Sequence, residues 1–190
     1  MPRLFVAIDL PESVNDRLQD IAYGLQGAAW VHSYHLTLRF LGELPEHVLA
    51  DIQHALTEVR TESFHLDLKG VGHFPPRGTP EVLWVGVAQN PALMKLNRRM
   101  ETALAKAGVA PDTRKFHPHI TLARLKGGAS RHVGDFEVQH ALFKMHEIPV
   151  EGFHLYSSRL TPEGAIHTVE ESYYLDGMLQ GDLEDLLDAA

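Results

Sequence analysis

A short pattern of alternating polar and apolar residues occurs twice in this 190-residue chain and constrains its fold more than any other feature. It reads His35-Leu36-Thr37-Leu38 in the first half and His119-Ile120-Thr121-Leu122 in the second. Successive side chains of a β-strand point to opposite faces, so each copy predicts a strand with histidine and threonine on one face. The apolar residues on the other face must be buried, which leaves the His-Thr face at a surface.

Further matches follow the two motifs in the same order and predict an internal duplication. Phe64-His65-Leu66 returns as Phe153-His154-Leu155, and a Pro-x-Gly turn follows each, at Pro76-Arg77-Gly78 and Pro162-Glu163-Gly164. We therefore expect a single bilobal domain over 1–175, in which each lobe is a sheet with packed helices.

Hydrophobic periodicity predicts an α+β fold. Strands are expected over 3–9, 35–41, 64–72, 81–88, 118–124, 148–158 and 165–175. Helices are expected over 12–26, 46–60 and 91–107, with Asn90 as the N-cap of the third, and a short helix over 137–144. Hairpin signals between the strands argue against a doubly wound sheet, so we expect two pseudo-symmetric lobes of antiparallel sheet around a central cleft.

Composition narrows the classes of chemistry. The absence of cysteine excludes disulfides, zinc fingers and thiol nucleophiles. The formal net charge of −8 argues against non-specific binding to a polyanion, although the acid-free span 113–134 offers local basic side chains to an anionic substrate.

No apolar stretch reaches the ~20 residues of a membrane span, so we expect a soluble, cytoplasmic monomer with no membrane partner. The acidic residues 176–190 are expected to form a tail, docked as a short helix or disordered.

Two imidazoles and two hydroxyls that face one cleft suit the cleavage of a phosphodiester. Displacement at phosphorus requires a base behind the attacking oxygen and an acid behind the leaving oxygen, and two histidines of opposite protonation state supply both. The threonine hydroxyls can donate to the non-bridging phosphate oxygens. We therefore take His35, Thr37, His119 and Thr121 as candidate catalytic residues, and this chemistry requires no metal or other cofactor.

Four further side chains are candidates for substrate binding. Arg39 shares the histidine face of the first motif on a regular strand. Arg124 follows the second motif and points away from its histidine on a regular strand, so a role for it requires a bulge or the end of the strand. Phe5 and Phe116 can stack a nucleobase. His117, by contrast, is expected to be a neutral structural histidine.

The segments Arg3-Leu4-Phe5-Val6-Ala7-Ile8 and Phe116-His117-Pro118-His119-Ile120-Thr121-Leu122-Ala123-Arg124, with the first motif between them, resemble the two-histidine phosphoesterase superfamily. Within it they are most similar to the bacterial and archaeal RNA 2',3'-cyclic phosphodiesterases, historically named 2'-5' RNA ligases. The resemblance extends from Arg3 to about Leu175. It implies a bilobal α+β fold with a central cleft, and hydrolysis of an RNA 2',3'-cyclic phosphate to a 2'-phosphomonoester.

The resemblance also implies roles for individual residues. His35 is expected to be the proton donor to the departing O3', and His119 the base that activates water. Thr37 and Thr121 are expected to hold the phosphate. Arg124 belongs to the second motif block of the family and is expected to neutralise phosphate charge.

The residues leave other interpretations open. The motif histidines with His117 can also ligate zinc, although no HExxH motif is present and neither motif has a carboxylate nearby in sequence. The same site can join a 2',3'-cyclic end to a 5'-hydroxyl that replaces water, or hydrolyse a small cyclic nucleotide. A non-catalytic RNA-end binder would most simply have lost one of the four motif side chains, and all four are present.

Overall fold

The computed structural model describes residues 3–22, 28–31, 33–125, 132–161 and 164–177. The strands are β1 (Arg3–Asp9), β2 (Ala28–Trp30), β3 (His35–Glu43), β4 (Phe64–Phe74), β5 (Val82–Val87), β6 (His119–Leu125), β7 (Lys144–Val150), β8 (Gly152–Thr161) and β9 (Gly164–Tyr174). The helices are α1 (Glu12–Ala22), α2 (Glu46–Thr57), α3 (Pro91–Lys106) and α4 (Val133–Gln139). No helix in the described ranges is long and apolar enough to cross a lipid bilayer.

One antiparallel sheet organises the molecule, in the strand order β7-β4-β5-β6-β3-β1-β8-β9, with β2 added beside β6. The predicted α+β class is confirmed. The sheet consists of two halves, β7-β4-β5-β6 and β3-β1-β8-β9, which meet where Leu36 of β3 pairs with Ile120 of β6. These two residues are the second positions of the two motifs. An antiparallel pair of strands has a local twofold axis, so the approximate twofold axis that relates the two halves of the sheet passes between the two motifs.

The two halves are interlocked along the chain. β4 follows the first motif in sequence, yet it pairs with β5 and β7 in the half that contains the second motif. β8 follows the second motif and pairs with β1 in the half that contains the first. The half that contains each motif is therefore built from strands of both parts of the chain, so residues far apart in sequence lie near each motif.

The apolar face of each motif strand is buried, as the alternation predicts. Leu36, Leu38, Ile120 and Leu122 are at most 4% exposed. Helix α3 lies beside this face, where the side-chain amide of Asn97 donates to the carbonyl of Leu38 over 3.2 Å. With one face covered in this way, the histidines and threonines are directed to the other face of the sheet.

The predicted start of α3 is confirmed, because the side chain of Asn90 accepts a hydrogen bond from the backbone N–H of Leu93 at 2.9 Å. The prediction of one strand over 148–158 is wrong. Glu151 separates β7 from β8, because the chain passes there from a strand paired with β4 to a strand paired with β1.

The short helix predicted over 137–144 is also misplaced. It lies at α4, where Val133 and Phe136 are buried one turn apart, and Lys144 already begins β7. The three-residue strand β2 was not expected. The part of the first predicted helix beyond Ala22 lies outside the described residues, as does the acidic tail from Met178.

Candidate active site

The four motif side chains lie together on the face of the sheet opposite the core. Since the middle residues of the two motifs are opposite each other in an antiparallel pair, the register places His35 beside Thr121 and Thr37 beside His119. All four side chains are partly buried. Each half of the sheet thus contributes one imidazole, with a threonine hydroxyl of the other half as its neighbour across the strands.

Aromatic rings from three strands surround His35. The ring of Phe5 in β1 is 5.2 Å from the imidazole, and Tyr156 of β8 is stacked on Phe5 at 5.0 Å with an interplanar angle of 11°. His167 of β9 approaches the imidazole edge-on at 5.3 Å. Burial is the main reason that the pKa of His35 is lowered to about 4, and the charge of His167 acts in the same direction. The imidazole of the free protein is therefore neutral at pH 7.

His119 has a different set of neighbours. Phe74 of β4 lies edge-on at 4.9 Å, Trp84 of β5 is 6.4 Å away and His117 is 6.2 Å away, measured between ring centroids. The Nδ1 atom of His119 is 2.7 Å from the carbonyl oxygen of His117. Because a carbonyl oxygen only accepts hydrogen bonds, Nδ1 must hold the proton, and Nε2 keeps its lone pair.

The electrostatics of His119 favour this neutral form. Burial is the largest effect and lowers the pKa of His119; the hydrogen bond to the His117 carbonyl opposes it, and the charge of His117 adds to it. A neutral imidazole with its Nε2 lone pair available can accept a proton from a nucleophile in the cleft.

Two glycines allow Trp84 to occupy its position beside His119. A Cβ atom built on Gly72 would lie 2.4 Å from the indole, and one built on Gly86 would lie 3.3 Å from it. The first of these distances is far below van der Waals contact, so only a residue without a side chain is compatible with the indole there.

A β-bulge follows each motif and decides where the next side chains point. In the pairing of β1 with β3, Ala7 is opposite Thr37 and Val6 is opposite Arg39, so β3 contains one extra residue at this place. The pairing of β5 with β6 has the same irregularity directly after Thr121. One extra residue reverses the alternation of side chains for the rest of the strand.

This reversal makes the predicted placement of Arg39 on the histidine face wrong. Its guanidinium group is only 7% exposed and lies 3.4 Å from the carboxylates of Glu101 and Asp112. It also donates to the carbonyl oxygen of Ala110. Arg39 thus contacts helix α3 and the segment that follows it, and its side chain does not lie on the histidine face.

The residues one position further on face the cleft side instead. The ring of Phe40 is 6.0 Å from that of Phe5 and is 58% exposed. Its counterpart after the second motif is Arg124, which is exposed and follows the consecutive buried residues Leu122 and Ala123. The bulge that a role for Arg124 required is present, and its binding of substrate stays a prediction.

The two phenylalanines expected to stack a base have other surroundings. Phe5 is 3% exposed, so it supports His35 and presents little surface to a ligand. Phe116 is partly buried and packs against the hydrophobic core. Sequence reasoning missed the rings that do surround the histidines, because strand pairings between distant segments bring them there. These residues are Phe74, Trp84, Tyr156 and His167.

Two other clefts lie outside the histidine site. One of about 540 Å³ is lined by Arg39, Phe40 and the segment 108–114, and one of about 770 Å³ lies between α2 and α3. The motif histidines line neither of them. Within the described part of the chain, no group of three or more His, Cys, Asp or Glu side chains is arranged to hold a metal ion.

Known proteins match most of this chain. A sequence model of the 2'-5' RNA ligase superfamily matches residues 10–160. An RNA 2',3'-cyclic phosphodiesterase of Thermus thermophilus is 39% identical over 92% of this chain and 91% of that protein. An RNA 2',3'-cyclic phosphodiesterase of Archaeoglobus fulgidus is 35% identical over 87% of this chain and 96% of that protein.

Solved structures agree with the sequence matches. The crystal structure of the Thermus thermophilus protein TT0787 superposes with a TM-score of 0.73 at 34% identity, over 93% of this chain and 100% of that one. Escherichia coli LigT complexed with 3'-AMP has a TM-score of 0.73 at 25% identity, with the same coverage. The sequence match, the shared fold and the paired His-x-Thr strands lead to one conclusion: the chain belongs to the 2'-5' RNA ligase superfamily.

Proposed function

We propose that this protein is a phosphodiesterase that hydrolyses the 2',3'-cyclic phosphate at the end of an RNA to a 2'-phosphomonoester. The observation that carries the proposal is the pair of matched His-x-Thr strands joined at Leu36 and Ile120. They bring two imidazoles and two hydroxyls to one face of the sheet, and we propose that the phosphate binds between the two imidazoles. The curated relatives described above, named RNA 2',3'-cyclic phosphodiesterases, support the same substrate.

In the proposed reaction, Nε2 of His119 takes a proton from water while the water oxygen bonds to phosphorus. The bond between phosphorus and O3' breaks, and O3' takes a proton from His35. The phosphate remains on O2', and the two transfers leave His119 protonated and His35 neutral. Thr37 and Thr121 donate to the non-bridging oxygens, whose charge develops during the displacement.

His35 must be protonated before it can donate a proton, and the bound substrate favours this protonation. Burial keeps His35 neutral in the free protein. An anionic phosphate beside the imidazole favours the protonated form, so binding of substrate raises the pKa of His35. Arg124 is proposed to bind the same phosphate, and its exposed position after the bulge supports this role.

The direct test is an RNA oligomer that ends in a 2',3'-cyclic phosphate, incubated with the protein and EDTA. The product is identified by chromatography against authentic 2'- and 3'-phosphate standards, and we expect the 2'-phosphate. His35→Ala and His119→Ala should each lower kcat at least ~10²-fold, whereas His47→Ala, at an exposed position of α2, should leave it unchanged. Near-normal turnover by either motif variant would show that the histidine replaced is not catalytic. A 3'-phosphate product would show that His119 is the proton donor and His35 the base.

The threonines are tested by substitutions that keep the β-branched shape. Thr37→Val and Thr121→Val each delete one donor to the phosphate, so kcat/KM should fall by an amount equivalent to roughly 1–3 kcal/mol. Thr37→Ser retains the hydroxyl and should recover much of the loss. Unchanged kcat/KM for both valine variants would assign the hydroxyls a structural role only.

A second candidate function is the formation of a 2',5'-phosphodiester, in which the 5'-hydroxyl of another RNA replaces the attacking water. The rings of Phe74, Trp84 and His117 favour it, because they lie beside His119, on the side from which the nucleophile attacks. Product analysis at high concentrations of both RNA ends distinguishes the two reactions, since ligation yields a longer strand and hydrolysis does not.

A further inference from the structure

We propose that Asp9 is a positioning residue for His35, and that its carboxylate supports His35 in the role of proton donor. The proposal deepens the proposed function and rests on it. It concerns what makes two similar halves chemically unequal, which the paired motifs alone leave unexplained.

The first observation is the position of Asp9 in the sheet. It is the last residue of β1 and lies directly opposite His35 in the pairing of β1 with β3. Residues directly opposite each other in an antiparallel pair share a face, so the carboxylate is on the histidine side of the sheet. From there its negative charge favours the protonated form of His35 and raises its pKa, against the effect of burial.

The second observation is that the carboxylate is held in place. The hydroxyl of Tyr156 donates to both oxygens of Asp9, at 2.6 and 2.7 Å. Nε2 of His154 is 3.8 Å from Oδ2 of Asp9, and Nδ1 of His154 is 2.9 Å from the hydroxyl of Ser172. Strands β8 and β9 thus fix the orientation of a side chain that is about half exposed.

The third observation is an asymmetry between the halves. The position opposite His119, which matches that of Asp9, is occupied by Gly86 of β5. A side chain is not tolerated there, because a Cβ atom would lie 2.8 Å from the carbonyl oxygen of Lys69. The same register position therefore carries a carboxylate beside one histidine and no side chain beside the other.

Other titratable groups also face His35 and set the size of the effect. The charge of His167 in β9 disfavours the protonated form of His35. Tyr156 and His154 of β8 influence His35 indirectly, because they contact the Asp9 carboxylate. Since Asp9 is half exposed, solvent weakens its influence. We therefore expect a moderate contribution, smaller than the loss of His35 itself.

The test is Asp9→Asn, which keeps the size of the side chain and removes its charge. The ring signals of His35 are titrated by NMR, and the pKa of His35 should be lower in the variant, while that of His119 is unchanged. The limb of the kcat/KM profile that follows His35 should move to lower pH, and kcat/KM at pH 7 should fall about tenfold. Asp16→Asn, the same substitution at an exposed position of α1, should change none of these values.

A substrate with sulfur in place of O3' gives a second readout. A thiolate leaves without a proton, because the pKa of a thiol is about 8.5, far below that of an alcohol. Asp9→Asn and His35→Ala should therefore lose little activity on the sulfur substrate, whereas His119→Ala should remain impaired. A variant defective through misfolding would lose both activities equally.

Tyr156→Phe, which deletes only the donor to Asp9, provides an independent variant and should shift the His35 titration in the same direction by a smaller amount. An unchanged titration of His35 in Asp9→Asn, or an equal loss on the oxygen and sulfur substrates, would overturn the proposal. Failure of the wild-type protein to cleave any cyclic phosphate would instead overturn the proposed function, and the NMR titration would still report whether Asp9 acts on His35.

Discussion

Acidification should destabilise the folded protein through His35, and His35→Gln should remove this contribution. The pKa of an ordinary histidine, 6.5, is lowered to about 4 in the folded state, mainly by burial. Between these values the unfolded chain binds a proton that the folded protein does not, so the free energy of unfolding decreases as the pH falls from about 6.5 to about 4. At about 1.4 kcal/mol for each pKa unit, the largest loss attributable to His35 is about 3 kcal/mol.

Urea unfolding followed by circular dichroism at several pH values between 7 and 4 measures this loss. Burial also lowers the pKa values of His119, His140 and His167, so both proteins should lose stability on acidification. Only the difference between wild type and His35→Gln isolates His35, and we expect the variant to lose about 3 kcal/mol less. His47→Gln, at an exposed position of α2, is the matched control for the exchange of residue type. If wild type and His35→Gln lost stability in parallel, the assignment of a buried, neutral imidazole to His35 would be refuted.

Two other substitutions test the packing that supports the site. Gly72→Ala should destabilise the protein by about 1–3 kcal/mol in urea unfolding and impair turnover, because the new Cβ would displace Trp84; Gly134→Ala, in open space on α4, should be neutral or slightly stabilising. Equal stabilities of the two alanine variants would contradict the tight contact at the indole. Arg39→Met should destabilise by about 2–3 kcal/mol, since Glu101 loses the guanidinium group beside it and Asp112 keeps only the exposed Arg114, yet leave KM unchanged. A raised KM with unchanged stability would show instead that Arg39 binds the substrate.

Much of the fold could be predicted because local patterns dictate it. The strand at 3–9 and the start of α3 at Asn90 agree with the structure, since alternation and capping depend on neighbours in sequence. The break at Glu151 could not be predicted in this way. The apolar residues change phase near it, from Ile148 and Val150 to Phe153 and Leu155, but a single strand with a bulge has the same pattern. Only the pairing of β7 and β8 with different partners shows that they are two strands.

The sequence by itself determined which side chains form the candidate site. Strict alternation in His35-Leu36-Thr37-Leu38 and in its second copy directs histidine and threonine away from the core, and nothing beyond the local backbone is needed for that conclusion. The tertiary structure decided which other residues lie around the two motifs. The bulges reverse the alternation after each motif, which buries Arg39 and turns Arg124 outward, and a bulge depends on the partner strand. Likewise, Asp9 is beside His35 only because β1 pairs with β3 in this register, and hydrogen bonds between strands far apart in sequence determine that register.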